Sequence, residues 1–276
     1  SGPVPVAEAK KRVGCGSAVV EALRRKGAVT IEQVQVYRDP LAHRTFSSLP
    51  APPLTPAQEA VWREIKAALV QGDDHKPPVF LLHGVTGSGK TEIYLRALER
   101  VVSLGKRAIV LVPEIALTPQ IIDRFASRFP GRVAVLHSKL SVGEQFDEWW
   151  RIREGAFDVV IGSRGAIFAP QPDLGLIVID EEHEWTYKQQ DRSPRYHARE
   201  VALKLAELTG SVVLLGSATP DVESFYRAQK GEFQLLQLPQ RITLRGESPL
   251  PEVEVVDLRQ ELKAGNRSIF SRSLAK

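Results

Sequence analysis

The sequence predicts a doubly wound α/β fold on a mostly parallel sheet, preceded by a small separate module. Three observations carry this expectation. From Thr55 onward, short apolar runs alternate with amphipathic stretches of helical length. Runs such as Ile109-Val110-Leu111-Val112 and Ile177-Val178-Ile179 are apolar on both faces, as strands covered by helices on either side must be. A glycine-rich octapeptide and an acidic tetrad each follow such a run, at the strand ends where open α/β sheets bind ligands.

The elements follow in order. Thr55 is a natural N-cap for a first helix. Val79–His83 reads as a buried strand and Lys90–Val102 as a helix; Ala108–Val112 is the next strand and Leu117–Arg128 the next helix. Strand Val133–Leu136, helix Val142–Arg153, and strands Asp158–Gly162 and Leu176–Asp180 continue the pattern. Helix His197–Leu208 and strand Val212–Gly216 close it, giving an α/β domain of roughly 180–190 residues, an ordinary domain size.

Before this domain, Val4–Asp39 is short, basic and helix-rich. Ser17 can cap a helix whose Val19, Val20 and Leu23 share a face, and Gly27 stops it. Val29–Tyr37 alternates as short strands do. Helix, helix, then ribbon outlines a winged-helix DNA-binding module over residues 1–39; a helical appendage without a binding role is the alternative. Residues 40–54 form a proline-rich linker, since Pro50, Pro52 and Pro53 fix φ and remove donors.

Composition narrows the function classes. The 276 residues are 43% hydrophobic and 25% charged, with no apolar run near the ~20 residues a bilayer requires, so a membrane reading is poor. Cys15 is the sole cysteine, which excludes an intrachain disulfide and a cysteine-cluster zinc site within these residues. The net charge of +4 suits an anionic partner. The chain opens Ser1-Gly2 and contains no methionine, from which we expect a piece of a longer protein with a cloning remnant at its start.

Gly84-Val85-Thr86-Gly87-Ser88-Gly89-Lys90-Thr91 fits the phosphate-loop pattern between a strand and a helix. Gly84, Gly87 and Gly89 let backbone N–H groups of the loop, with Thr86 and Ser88, close on phosphate oxygens, and the helix N-terminus adds donors. Lys90 is placed for the β- and γ-phosphates, and the Thr91 hydroxyl for Mg²⁺. Asp180-Glu181-Glu182-His183 ends a buried strand. Asp180 is a Mg²⁺ ligand through water, and Glu181 a base for the attacking water. These residues predict nucleoside triphosphate hydrolysis with Mg²⁺. Small-molecule kinases share the loop but have no need of this tetrad.

The tetrad with Gly216-Ser217-Ala218-Thr219-Pro220 resembles superfamily 2 helicases. A wider set adds Gly84 to Glu92, Val112-Pro113-Glu114-Ile115-Ala116-Leu117-Thr118-Pro119-Gln120, and Gly162-Ser163-Arg164-Gly165-Ala166-Ile167-Phe168-Ala169-Pro170. Together these resemble the primosomal replication-restart helicases. The resemblance implies a RecA-like P-loop NTPase lobe over residues 55–239, with residues 240–276 leading toward a second lobe. It implies an ATP-dependent 3′→5′ DNA helicase of the bacterial cytoplasm, associated with the nucleoid and acting at stalled or abandoned forks. Implied partners are forked and single-stranded DNA, primosome and helicase-loader proteins, and single-stranded-DNA-binding protein. Zinc is implied only for the second lobe, as is an arginine finger, so the chain alone is expected to hydrolyse poorly.

Residue roles follow from the same resemblance. Gln58 resembles the glutamine that reads adenine, a surface helix glutamine being the alternative. Ser217 and Thr219, with His183, resemble the group coupling hydrolysis to strand movement; a turn capping the next helix is the alternative. From the residues themselves, Arg164 can hold DNA phosphates. Trp185, Tyr187 and Tyr196 interleave with Lys188, Arg192 and Arg195 in a polar, proline-broken loop, offering rings to bases and cations to phosphates. Packing of Trp185 and Tyr187 on the domain is the alternative, and for Trp149-Trp150 helix packing is preferred. Two other function classes stay open: a fork-binding scaffold with a vestigial ATP site, and another superfamily 2 translocase.

Overall fold

The computed structural model describes residues 4–32, 38, 51–71, 77–243, 246–248 and 253–275. The chain divides into two compact units, Ser1–Arg38 and Asp39–Lys276.

In the first unit, α1 (Val6–Val13) and α2 (Ser17–Arg25) are joined by Gly14, whose φ of +68° is a left-handed cap that glycine adopts without a Cβ penalty. Ser17 does not cap α2 as expected. Gly16 holds the N-cap position, and the Ser17 hydroxyl accepts a bond from Lys10 Nζ at 2.6 Å. Gly27 does end the helix, with Ala28 N donating to Leu23 O at 3.0 Å. Residues 29–32 carry no strand, and the rest of the expected ribbon, 33–37, lies outside the described residues, as does most of the 40–54 linker.

The second unit is a seven-stranded sheet with every pairing parallel. Its strands are β1 (Val79–Gly84), β2 (Arg107–Leu111), β3 (Val133–Leu136), β4 (Val159–Gly162), β5 (Leu174–Asp180), β6 (Val212–Ser217) and β7 (Gln234–Leu238). Their spatial order is β3-β4-β2-β5-β6-β1-β7. The helices are α3 (Pro56–Gln71), α4 (Lys90–Ser103), α5 (Pro119–Arg128), α6 (Val142–Arg153), α7 (Ala198–Thr209) and α8 (Val222–Gln229).

The doubly apolar strand runs have the structural meaning expected of them. Alternate residues of one strand serve two separate cores: Phe80, Leu82, Val110 and Val178 pack with α3, α4 and α5, while Leu81, Ile109, Ile177 and Ile179 pack with α6, α7 and α8. Burying each such side chain contributes about 1.5–3 kcal/mol. The sheet is therefore rigid on both faces, and its C-terminal edge is a fixed platform for loops.

Two elements depart from the sequence reading. The helix expected from Leu117 starts at Pro119, because Glu114–Ala116 forms a separate 3₁₀ turn ahead of it. β7 went unread because it is an edge strand with polar residues facing outward. After it, β8 (Arg241–Thr243) and β9 (Gly246–Ser248) pair antiparallel, and α9 (Leu258–Lys263) follows. No helix among the described residues is long and apolar enough to cross a membrane.

Candidate nucleotide site and the adjoining groove

Gly84 ends β1 and Lys90 opens α4, so the loop between them crosses the sheet's C-terminal edge at a helix N-terminus. Gly87 and Gly89 hold φ of +80° and +84°, a conformation L side chains rarely adopt. A Cβ at Gly89 would also run into the Gln58 amide. The first turn of α4 leaves its N–H groups without helical partners, as every helix start does. Ser88 Oγ is buried inside the loop with no hydrogen-bond partner among the described residues, a polar atom that a bound phosphate oxygen would satisfy. Thr86 is exposed at the loop's rim, and Thr91 is half-buried on the first turn. The residues present fit a nucleotide.

Lys90 Nζ donates to Gly84 O at 2.9 Å and lies 3.8 Å from Glu181 Oε1, so the acid box faces the loop directly. Asp180 ends β5, where Tyr94 Oη donates to its Oδ1 at 2.9 Å. Burial, then the neighbouring Glu181 charge, raises the Asp180 carboxyl above the ordinary carboxylate range; the Tyr94 bond and Lys90 pull the other way. No cluster of three or more His, Cys, Asp or Glu side chains suited to a metal occurs among the described residues. One carboxylate and the Thr91 hydroxyl beside a phosphate loop are the donor set Mg²⁺ uses, with water and phosphate completing it.

Glu181 leaves β5 with φ of +47°, a left-handed conformation costing a non-glycine residue about 1–3 kcal/mol. The next residue holds it there. Glu182 N donates to Gly216 O at 3.0 Å, and the Glu182 carboxylate, buried, accepts from Asp221 N at 2.8 Å, Ser224 Oγ at 2.8 Å and Arg199 at 3.2 Å. Glu181 is thereby aimed back toward Lys90 and His183. His183 Nδ1 is 3.6 Å from Glu181 Oε2 and hydrogen-bonded to Ser217 Oγ at 2.7 Å. Ser217 Oγ also accepts from Thr219 N at 2.9 Å, and Thr219 Oγ1 is 3.4 Å from His183 Nε2. The structure thus brings together Lys90, Asp180, Glu181, His183, Ser217 and Thr219.

The DEAD/DEAH box helicase family model matches residues 55–227. The chain belongs to the DEAD/DEAH box helicase family. Replication restart protein PriA of Bacillus subtilis (strain 168) is 52% identical over 271 residues, covering 98% of this chain and 33% of that protein. The protein of the same name from Synechocystis sp. (strain ATCC 27184 / PCC 6803 / Kazusa) is 44% identical over 280 residues, 99% of this chain and 32% of that protein. The chain spans about a third of the length of these curated relatives. In a solved structure, RecG bound to a three-way DNA junction aligns with a TM-score of 0.53 and 26% identity over 78% of this chain and 27% of that one.

Two of the expected side chains are held by the protein itself. Gln58 is buried, with Oε1 accepting from Thr55 N at 3.0 Å and Nε2 donating to Ser88 O at 3.0 Å. With Gln58 N donating to Thr55 Oγ1 at 3.3 Å, this is a capping box whose amide also tethers α3 to the phosphate loop. Both ends of the amide are committed, so meeting adenine requires exchanging these bonds. Tyr187 is 1% exposed and its hydroxyl donates to Asp180 O at 2.7 Å. Its ring belongs to the core, which corrects the expectation that it stacks on DNA.

Beyond the acid box, the loops after β2, β3, β4 and β5 enclose a cleft of about 620 Å³ lined by Pro113, Glu114, Trp149, Arg164, Phe168 and Trp185, among others. Trp185 is 69% exposed. Phe168 meets Tyr196 edge to face at 4.9 Å between centroids. Arg164 is directed inward: its guanidinium donates to Thr186 O at 2.9 Å and Lys188 O at 2.8 Å, holding the aromatic loop to the turn after β4. Lys188 Nζ donates to Arg195 O at 2.8 Å, closing the same loop, while Arg195 itself is exposed. Trp149 packs on Trp150 as expected of a helix pair, yet it also lines the cleft.

The sequence reading missed Tyr94, Glu182 and Arg199 as organisers of the site. Tyr94 carried a signal, lying four residues after Lys90 and so on the same face of α4. Arg199 carried none, because its acidic partners Glu182, Asp221 and Glu223 come from other segments.

Proposed function

We propose that the chain is the ATP-binding first lobe of a 3′→5′ DNA helicase that acts at stalled or abandoned replication forks and serves primosome assembly in the bacterial cytoplasm, at the nucleoid. The observation that carries this reading is the convergence of Lys90 and Glu181 across 3.8 Å, with Glu181 continued by His183, Ser217 and Thr219. A site for nucleotide anions and a relay leading away from it share one carboxylate.

The phosphate loop binds the nucleotide through its N–H groups and Lys90. Lys90 exchanges its bond with Gly84 O for a phosphate oxygen. Mg²⁺, when bound beside Thr91 and Asp180, supplies positive charge to the phosphates. Glu181 orients the attacking water and accepts its proton. Loss of the terminal phosphate frees Lys90 to return toward Glu181, and the change in charge at Glu181 reaches His183 at 3.6 Å, which redistributes its bonds to Ser217 and Thr219. The DNA contacts in this reading are Trp185, with Phe168 and Trp149 lining the same cleft, and the exposed cations Lys188 and Arg195.

In this reading the whole protein binds primosome and helicase-loader proteins and single-stranded-DNA-binding protein, and zinc belongs to a second lobe. In this reading the lobe alone turns over ATP slowly, because the arginine finger that meets charge on the transferring phosphoryl comes from a second lobe. The test is ATP turnover by the full-length protein with forked, single-stranded and duplex DNA. Forked and single-stranded DNA should stimulate turnover, and Lys90→Ala should abolish it while sparing fork binding. No stimulation by any DNA favours a scaffold, preference for duplex favours a remodelling translocase, and either result overturns the proposal.

A further inference from the structure

The segment leaving the sheet after β7 folds back onto the phosphate loop. Val85 N donates to Leu238 O at 3.1 Å, and Ile242 N donates to Gly87 O at 2.9 Å, so two backbone bonds fasten residues 238–242 along the loop. The side chains follow. Ile242 Cδ1 lies 3.3 Å from where a Cβ would stand on Gly89, and Arg241 Cγ lies 4.0 Å from where one would stand on Gly87. Both glycines hold left-handed conformations, so the contact rests on backbone that only glycine supplies at low cost.

Arg241 is the unexplained member of this contact. Its Nε is buried and has no hydrogen-bond partner among the described residues, unlike Lys90, whose amine is held by Gly84 O and Glu181. A guanidinium keeps its charge at any working pH and presents donors in a planar fork matched to phosphate. Keeping such a donor desolvated without an acceptor is costly, and the cost is removed when an anion arrives.

We propose that Arg241 is a second cationic ligand for the nucleotide, contacting its phosphate chain from the segment that follows the sheet. This rests on the reading of residues 84–91 as a nucleotide site. The consequence is that occupancy fixes residues 238–242, and hence the direction in which the chain continues beyond the lobe.

Affinity for ADP, measured by competition against N-methylanthraniloyl-ADP, tests this on the chain itself. Arg241→Ala should weaken ADP binding about 10- to 100-fold, the range for a hydrogen bond to a charged group. Arg241→Lys should recover part of the loss as a point charge without the fork, and AMP should be affected less than ADP. Because the buried Nε is unsatisfied in the free protein, the melting temperature of Arg241→Ala without nucleotide should be no lower than the parent's, while the increase that ADP produces shrinks. ADP affinity within 2-fold of the parent, beside a Lys90→Ala variant that no longer binds, overturns the role of Arg241 and leaves the nucleotide site intact. An equal loss for AMP and ADP with a lower melting temperature assigns Arg241 to packing and also overturns it. Failure of the parent chain to bind ADP at all overturns both readings.

Discussion

Arg199→Met tests whether the acid box is held in place by a buried ion pair. Arg199 and Glu182 have side chains 6% and 0% exposed, 3.2 Å apart, linking α7 to the turn after β5. The same guanidinium reaches Asp221, Glu223 and Glu200, but these acids are 41%, 62% and 53% exposed, so water screens them and they add little. Removing the arginine strands one carboxylate in the interior with only Asp221 N and Ser224 Oγ as donors. Breaking a buried pair in this way costs about 3–5 kcal/mol. For a unit of this size each kcal/mol moves the midpoint by roughly 2–4 °C, so the melting temperature should fall by roughly 6–20 °C. Differential scanning calorimetry at neutral pH measures it. The double variant Arg199→Met/Glu182→Gln should recover at least half the loss, since the orphaned charge is gone. A drop below about 2 °C, or additive losses in the double variant, would refute the idea that this pair anchors the box.

Asp180→Asn should raise the melting temperature at pH 7 while ending Mg²⁺-dependent turnover in the full-length protein. The Asp180 carboxyl is raised above its ordinary 3.8, so the stability tied to its protonated form is complete below that value and lost as pH rises through the folded value. The gain from Asn should therefore vanish in melts below about pH 3.8. Gly216→Ala would drive a methyl into the Tyr94 hydroxyl, which binds Asp180, and should cost about 1–3 kcal/mol; adding Tyr94→Phe should restore part of it, as read by urea unfolding. Trp185→Ala should weaken single-stranded DNA binding by about 1–3 kcal/mol in anisotropy titrations. Tyr187→Phe should leave DNA affinity unchanged and lower stability by about 0.5–1.5 kcal/mol, and an equal loss of DNA binding in both variants would contradict the burial of Tyr187.

What the sequence determined was periodic or contiguous. Strands buried on both faces need unbroken apolar runs, and six of the seven are read directly for that reason, while β7, half-polar at the edge, is not. The phosphate loop and the acid box are equally legible, because each is a short run whose chemistry depends on adjacent residues. The tertiary structure decided which side chains are free to act. Tyr187 and Trp185 are two residues apart in one aromatic loop, yet the 3₁₀ turn between them sends one into the core and leaves the other exposed. Gln58 and Arg164 are polar residues in suggestive motifs, but Gln58 Nε2 is held by Ser88 O, and Arg164 Nη1 by Thr186 O and Lys188 O. Glu182 finds Arg199 and Ser224 only once α7 packs beside β5 and α8 packs beside β1 and β7. Local sequence sets what a residue is able to donate or accept; the partner that claims it comes from distant segments, and that choice is made by the closure of the sheet.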